Sequence, residues 1–351
     1  MLKRNRENDY DQDKSKEKGK GKGKGDKKTR PRITIPDTPP INSIQDLIEL
    51  GKGMTFYKNI DTIMLWRITP YLEELNNLVG MKTLKDSIFY QILYYIQGMH
   101  VRNNSDEYLH TILIGPPGTG KTTVAHIIAK IYQAMDILST TGPFKIAHRD
   151  DFVAGYLGQT AIKTQKLLNS CLGGVLFIDE VYALGPGQDD KDSFSKEAID
   201  TLCSFLSEHT NDFCCIAAGY EKDIQKCFFA VNDGLESRFQ WKHKIEEYTP
   251  TELADIFLSK VKNINWEIRV DKDLISKILE KNKDIFVNAG RDIVNVISKC
   301  KMSHARRVIS LEKEHKFILN IEDLEKGIEM FKKVREVSKP LLSSPPVGMY
   351  M

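Results

Sequence analysis

Gly115-Pro116-Pro117-Gly118-Thr119-Gly120-Lys121-Thr122 is the stretch from which the rest of the chain is read. It fits the pattern G-x-x-x-x-G-K-[ST]. Phosphate oxygens need many close donors. Glycines let the backbone wrap with its N–H groups turned inward, and a helix that starts at once adds its positive end. Lys121 is spaced to reach the β- and γ-phosphates as a point charge. Thr122 offers a hydroxyl to Mg²⁺, and Thr123 follows it in the same turn. A glycine-rich turn can match such a pattern by chance, but here the flanks agree with the chemistry: His110–Ile114 reads as a strand and Thr122–Met135 as a helix. The expected ligands are ATP and Mg²⁺.

Gly174-Val175-Leu176-Phe177-Ile178-Asp179-Glu180 supplies the second half. Four apolar residues make a buried strand, and two carboxylates stand at its C-terminal end, where open α/β sheets hold their ligands. Asp179 is expected to hold Mg²⁺, directly or through water. Glu180 is expected to polarise the attacking water as a general base. Adjacent acids at a strand end can also be the polar start of a loop; the phosphate motif upstream argues for the catalytic reading. Two acids favour hydrolysis over transfer to a second substrate.

Around these motifs, short apolar runs (Thr111–Ile114, Phe144–Ala147, Val175–Ile178, Phe213–Ala218) alternate with helical patterns. That alternation predicts an α/β fold, a parallel sheet sandwiched by helices, over residues 76–248. After Tyr248 the strand signals stop. Thr249-Pro250-Thr251-Glu252 is a helix start with an N-cap, a first-turn proline and a capping-box acid. It opens a small all-α lid over residues 249–336. Residues 41–75 read as an N-terminal helical extension interrupted by Pro70. Residues 1–40 read as a disordered basic tail and 337–351 as a disordered C-terminal tail. Net charge is +3 over the 351 residues, but Met1–Arg32 holds 13 Lys+Arg against 6 Asp+Glu, so the remainder carries 3 − 7 = −4. A nucleic-acid contact through residues 1–32 is one use of such a tail; a solvated spacer is the other. The six cysteines form no C-x-x-C pair and predict reduced, mostly buried thiols of an intracellular protein. No apolar run nears the ~20 residues of a membrane helix, and no secretory signal is read, so no membrane partner is expected. The basic tail is compatible with cytoplasm or nucleus.

Beyond a generic nucleotide site, Arg149-Asp150-Asp151-Phe152, Gly155-Tyr156-Leu157-Gly158-Gln159-Thr160, Gly173 through Leu184, Ala217-Ala218-Gly219-Tyr220, Gly234-Leu235-Glu236-Ser237-Arg238-Phe239 and Asn288-Ala289-Gly290-Arg291 follow one another in a telling order. The chain resembles the CbxX/CfqX class of AAA+ ATPases over roughly Leu75 to Arg335. The resemblance implies a P-loop NTPase of the AAA+ type that works as an oligomeric, hexamer-like ring with ATP between neighbours. It implies that Arg238 is an arginine finger acting in trans and that Arg291 is the lid arginine that meets the γ-phosphate in cis. It implies that Leu78-Val79-Gly80 packs on adenine, and that Tyr156-Leu157-Gly158 is a pore loop gripping an extended protein substrate. Two departures stand out. Tyr220 ends the fourth strand where AAA+ proteins usually carry Asn or another polar residue. Asn288 stands where the class has Gly in its Gly-Asn-Ala/Gly-Arg motif. The function expected is remodelling or threading of a protein partner at the expense of ATP. A nucleic-acid-associated loader or helicase-like factor is the alternative, and a non-hydrolysing scaffold is disfavoured by the intact Lys121, Asp179, Glu180 and Arg238.

Overall fold

The run Val175–Ile178 cannot show either face to water, and it forms a strand buried at all four positions. The computed structural model describes residues 35–53, 55–101, 108–156, 158–186, 193–309 and 315–338. In chain order the helices are α1 (Ile44–Gly53), α2 (Thr62–Asn76) and α3 (Lys82–Ile96). Then come β1 (Thr111–Ile114), α4 (Lys121–Ala134), β2 (Phe144–Ala147), α5 (Arg149–Phe152), α6 (Thr160–Asn169) and β3 (Val175–Ile178). α7 (Ser193–Glu208), β4 (Cys214–Gly219), α8 (Glu221–Cys227), α9 (Leu235–Arg238) and β5 (Trp241–Lys244) complete the α/β part. The rest is α10 (Pro250–Asn263), β6 (Glu267–Ile268), α11 (Lys272–Lys281), α12 (Ala289–Val308), β7 (Ile318–Leu319) and α13 (Ile321–Ser338).

Among the described residues the main sheet runs β2-β3-β4-β1-β5, with every pair parallel. Alternate residues of one strand serve opposite faces. Val175 and Phe177 join a cluster with α2, α3 and α4, while Leu176 and Ile178 join one with α6 and α7. β4 lies one residue later than the apolar run suggested. β5 had no clear signal, because Trp241-Lys242-His243-Lys244 is polar at an edge and buries His243 alone.

Pro70 does not break α2. An interior proline forfeits about 3 kcal/mol. Leu65, Ile68, Leu72 and Leu75 are each fully buried on that helix, and burial contributes about 1.5–3 kcal/mol per large aliphatic side chain. The packing therefore outweighs the break. α1 and α2 share their core with α4, the helix that follows the phosphate motif.

The C-terminal helices keep a cluster of their own around Phe257, Ile275, Ile293 and Val296. α10 begins as read: Thr249 Oγ1 accepts the Glu252 N–H at 3.3 Å and Glu252 Oε2 accepts the Thr249 N–H at 2.7 Å. β6 and β7 add a two-residue parallel ladder that sequence patterning did not show. Buried Asp323 ties α12 to α13, accepting from Arg307 Nε at 3.0 Å and contacting His304 Nδ1 at 3.0 Å. Cys171, Cys203, Cys214, Cys215 and Cys300 are buried thiols, and Cys227 is partly exposed. Burial pushes all five buried thiols above their usual range, Cys300 to about 12. Among the described residues, no helix is long and apolar enough to cross a membrane.

Candidate functional site

The register of the sheet brings the predicted site together. Ile114 of β1 lies opposite Gly219 of β4, and Ala217 of β4 lies opposite Ile178 of β3. The strand ends therefore deliver Gly115, Tyr220 and Asp179 to one edge. Gly118 and Gly120 have φ of +71° and +92°, conformations that disfavour any side chain with a Cβ. Gly118 is also crowded: a Cβ there would stand 2.0 Å from the Asn288 carbonyl oxygen. Thr119 is buried and locks the turn by donating to Pro116 O at 2.8 Å. Gly120 gives α4 no side-chain cap, so the helix begins with backbone donors free for an anion.

Lys121 Nζ donates to Gly115 O at 2.9 Å and Pro116 O at 2.8 Å, which folds the ammonium over the loop. Burial draws its pKa down, the carboxylates of Asp179 and Glu180 oppose that, and Arg291 adds to it. All of these groups line one cleft of about 440 Å³, with Pro117, Gly118, Gly120, Thr122 and Thr123. Glu180 has φ +50° without being glycine, a strained turn of the kind kept at functional sites. Asp179 Oδ1 accepts the Glu180 N–H at 3.0 Å.

Two tyrosines line the cleft beside Lys121. Tyr182 and Tyr220 stack at 5.6 Å, and the Lys121 ammonium lies 5.6 Å from the Tyr220 ring centroid. Burial, then the negative field of Glu180, pushes the Tyr182 hydroxyl up to about 12 and raises that of Tyr220. Both remain neutral donors at ordinary pH. The sequence reading left Tyr220 outside the catalytic set and missed Tyr182, whose position two residues after the acid pair was the available signal.

Leu78, Val79, Met81, Ile256 and Val294 add apolar lining to the same cleft, beside the polar Asn77, Ser259 and Lys260. Lys85 holds the Leu78 loop by donating to Asn76 O at 3.0 Å and Leu78 O at 2.6 Å. Tyr248, which precedes the α10 cap, donates to Thr119 O at 2.9 Å. Neither Lys85 nor Tyr248 was legible as a site residue.

Other predicted residues stand elsewhere. Gly115, Pro116 and Thr119 form the back of the loop and do not line the cleft. Gly80, with φ +65°, abuts Glu252 of α10. Arg238 is away from the cleft, with its Nε donating to Ser207 Oγ at 2.6 Å and its guanidinium to Gly234 O. Tyr156 is 73% exposed, and Gly158 has φ +75°. Leu157 and the basic residues 1–32 lie outside the described residues.

The cleft suits a nucleoside triphosphate: it combines backbone donors, an ammonium and apolar side chains in one lining. Thr122 and Asp179 offer the hard oxygens Mg²⁺ prefers. No described cluster of three or more His, Cys, Asp or Glu competes as a metal cage.

Residues 111–242 match the model for AAA, the ATPase family associated with various cellular activities. The chain is 39% identical over 296 residues to the cfxQ-like protein R730 of Acanthamoeba polyphaga mimivirus, covering 82% of this chain and 72% of that one. It is 35% identical over 243 residues to the chloroplastic ribulose bisphosphate carboxylase/oxygenase activase of Cyanidioschyzon merolae, covering 67% of this chain and 78% of that one. The crystal structure of the FIGL-1 AAA domain superimposes with a TM-score of 0.54 at 16% identity, over 73% of this chain and 82% of that one, a likeness of fold. With the sheet order and the assembled cleft, these similarities make the chain an AAA ATPase, an ATP hydrolase of the CbxX/CfqX type.

Proposed function

We propose that the chain binds MgATP in this cleft and hydrolyses it, as a subunit of a hexamer-like ring, to remodel or thread a protein partner. The observation that carries the reading is the meeting of Lys121, Thr122, Asp179, Glu180 and Arg291 on one cleft between the sheet and the C-terminal helices. Lys121 and the backbone N–H groups of Gly118, Gly120, Thr122 and Thr123 hold the phosphates, on a loop that Gly115, Pro116, Pro117 and Thr119 shape. Leu78 and Val79 take the base, with Gly80 turning that loop. Thr122 and Asp179 hold Mg²⁺, which when bound offsets phosphate charge. Glu180 orients and deprotonates water, and Arg291 meets the γ-phosphate.

Arg238 is proposed as the group a neighbouring copy inserts. Its bonds to Ser207 and Gly234 would then be exchanged for charge-assisted bonds to phosphate, which are stronger. The exposed Tyr156, with Leu157 and Gly158, is proposed to grip an extended peptide by shape and apolar contact. A relative that is an activase of another enzyme supports a protein substrate.

Lys121→Ala and Glu180→Gln test the reading. Lys121→Ala should lose ATP binding. Glu180→Gln should bind ATP, assemble, and turn over at least ~100-fold more slowly. Wild-type turnover by Glu180→Gln, or a strict monomer with ATP and Mg²⁺, would count against it. Nucleic-acid binding that weakens steeply with salt and vanishes on deleting residues 1–40 would favour a nucleic-acid partner instead.

A further inference from the structure

Arg335 is 44 residues from Arg291 in sequence and lies in the last turn of α13. Its guanidinium nonetheless pairs with Asp292, the neighbour of Arg291. Asp292 is 1% exposed. The same Oδ2 accepts the Asn288 N–H at 2.7 Å, and Oδ1 lies 3.4 Å from Asn288 Nδ2. Asp292 thus pins the turn that starts α12, in which Ala289 takes φ +43° without the freedom of glycine.

That turn touches the phosphate loop. The Asn288 carbonyl fills the space beside Gly118, and a Cβ on Gly290 would stand 3.0 Å from Gly118 O. Arg335 is itself steadied, 5.5 Å from the ring centroid of Phe331, which stacks on Phe286 at 6.2 Å. The contacts run without a gap from α13 through Asp292 and Asn288 to Gly118, and Arg291 leaves the same turn for the cleft.

Fastening α12 to α13 does not require this pair. Asp323 with Arg307 and His304 already does that. The Asp292 pair sits instead at the nucleotide end, where a buried carboxylate is tolerated only with its partners in place. Removing Arg335 leaves Asp292 to the Asn288 amide and loosens a strained turn that sets both the height of Arg291 and the seat of Gly118.

We propose that Asp292 and Arg335 are positioning residues that hold Arg291 against the phosphate loop, so that α13 sets how well the cleft tells a triphosphate from a diphosphate. This rests on the reading that Arg291 meets the γ-phosphate.

The test uses the full chain and calorimetric titration with Mg²⁺ and either ADP or the non-hydrolysable triphosphate AMP-PNP. The quantity read is the ratio of the ADP to the AMP-PNP dissociation constant. Arg291→Ala should lower that ratio at least tenfold. Arg335→Met should lower it about fivefold, and Arg335→Lys should restore most of it. A plain structural brace would lower the melting temperature and weaken both nucleotides alike. That outcome, with Arg291→Ala still lowering the ratio, overturns the positioning role and leaves the reading of Arg291 intact. An unchanged ratio in Arg291→Ala refutes the reading of Arg291, and the proposal falls with it. Should Arg335→Met not fold, Arg335→Gln is judged by the same ratio.

Discussion

Acid should destabilise this protein well before its carboxylates titrate, and His110 is the first reason. It is fully buried ahead of β1. Its Nε2 lies 3.1 Å from Leu206 O, and its Nδ1 accepts the Cys215 N–H at 3.2 Å. That pair of bonds needs the neutral ring with its proton on Nε2, since a second proton on Nδ1 would face another N–H. Burial, opposed in part by the Leu206 bond and reinforced by nearby Arg238, lowers its pKa from 6.5 to about 4. His243, bonded to Ser87 Oγ at 2.8 Å, is likewise lowered by burial to about 4. The unfolded chain therefore binds protons near pH 6.5 that the folded chain refuses until about pH 4. Stability is complete above pH 6.5 and falls as the pH drops through that window. At pH 5 the linkage amounts to about 2 kcal/mol for each ring. Urea unfolding without nucleotide, compared at pH 7 and pH 5, reads the sum, and His110→Gln should remove about half of the difference. An undiminished pH dependence in His110→Gln, or an NMR titration placing the His110 pKa above 6, would refute the argument.

Gly118→Ala should reduce ATP turnover at least tenfold, because the new methyl meets the Asn288 carbonyl and φ +71° adds about 1 kcal/mol of strain; a kcat/KM within twofold of wild type would contradict the crowding. Arg238→Ala should bind ATP normally yet turn over about 10³-fold more slowly, and mixing it with a Glu180→Gln subunit would show whether the two residues serve one interfacial site. Lys85→Met should raise the KM for ATP about tenfold by releasing the Leu78 carbonyl, while inorganic pyrophosphate, which has no base, should bind as before; equal weakening of both ligands would place the effect elsewhere.

What was legible in the sequence was local. The phosphate loop, the acid pair and the Thr249–Glu252 cap each lie within a few residues, and their chemistry dictates their spacing. What was not legible depends on partners far along the chain. Tyr182 and Tyr220 become a pair only when β3 and β4 align. The β6–β7 ladder joins residues 51 apart, and two residues carry no periodicity of their own. β5 escaped notice because an edge strand can remain polar. Pro70 misled because local propensity there yields to the burial of α2. Arg238 shows the limit of a single chain, since a finger acting in trans would find its proper partner only in another copy.

The buried cysteines have a practical consequence. A maleimide added to the folded protein should find Cys227 at once and the other five thiols only as the chain opens. Labelling kinetics with and without ATP would then serve as a clock for unfolding, one that needs no engineered probe and keeps the native sequence.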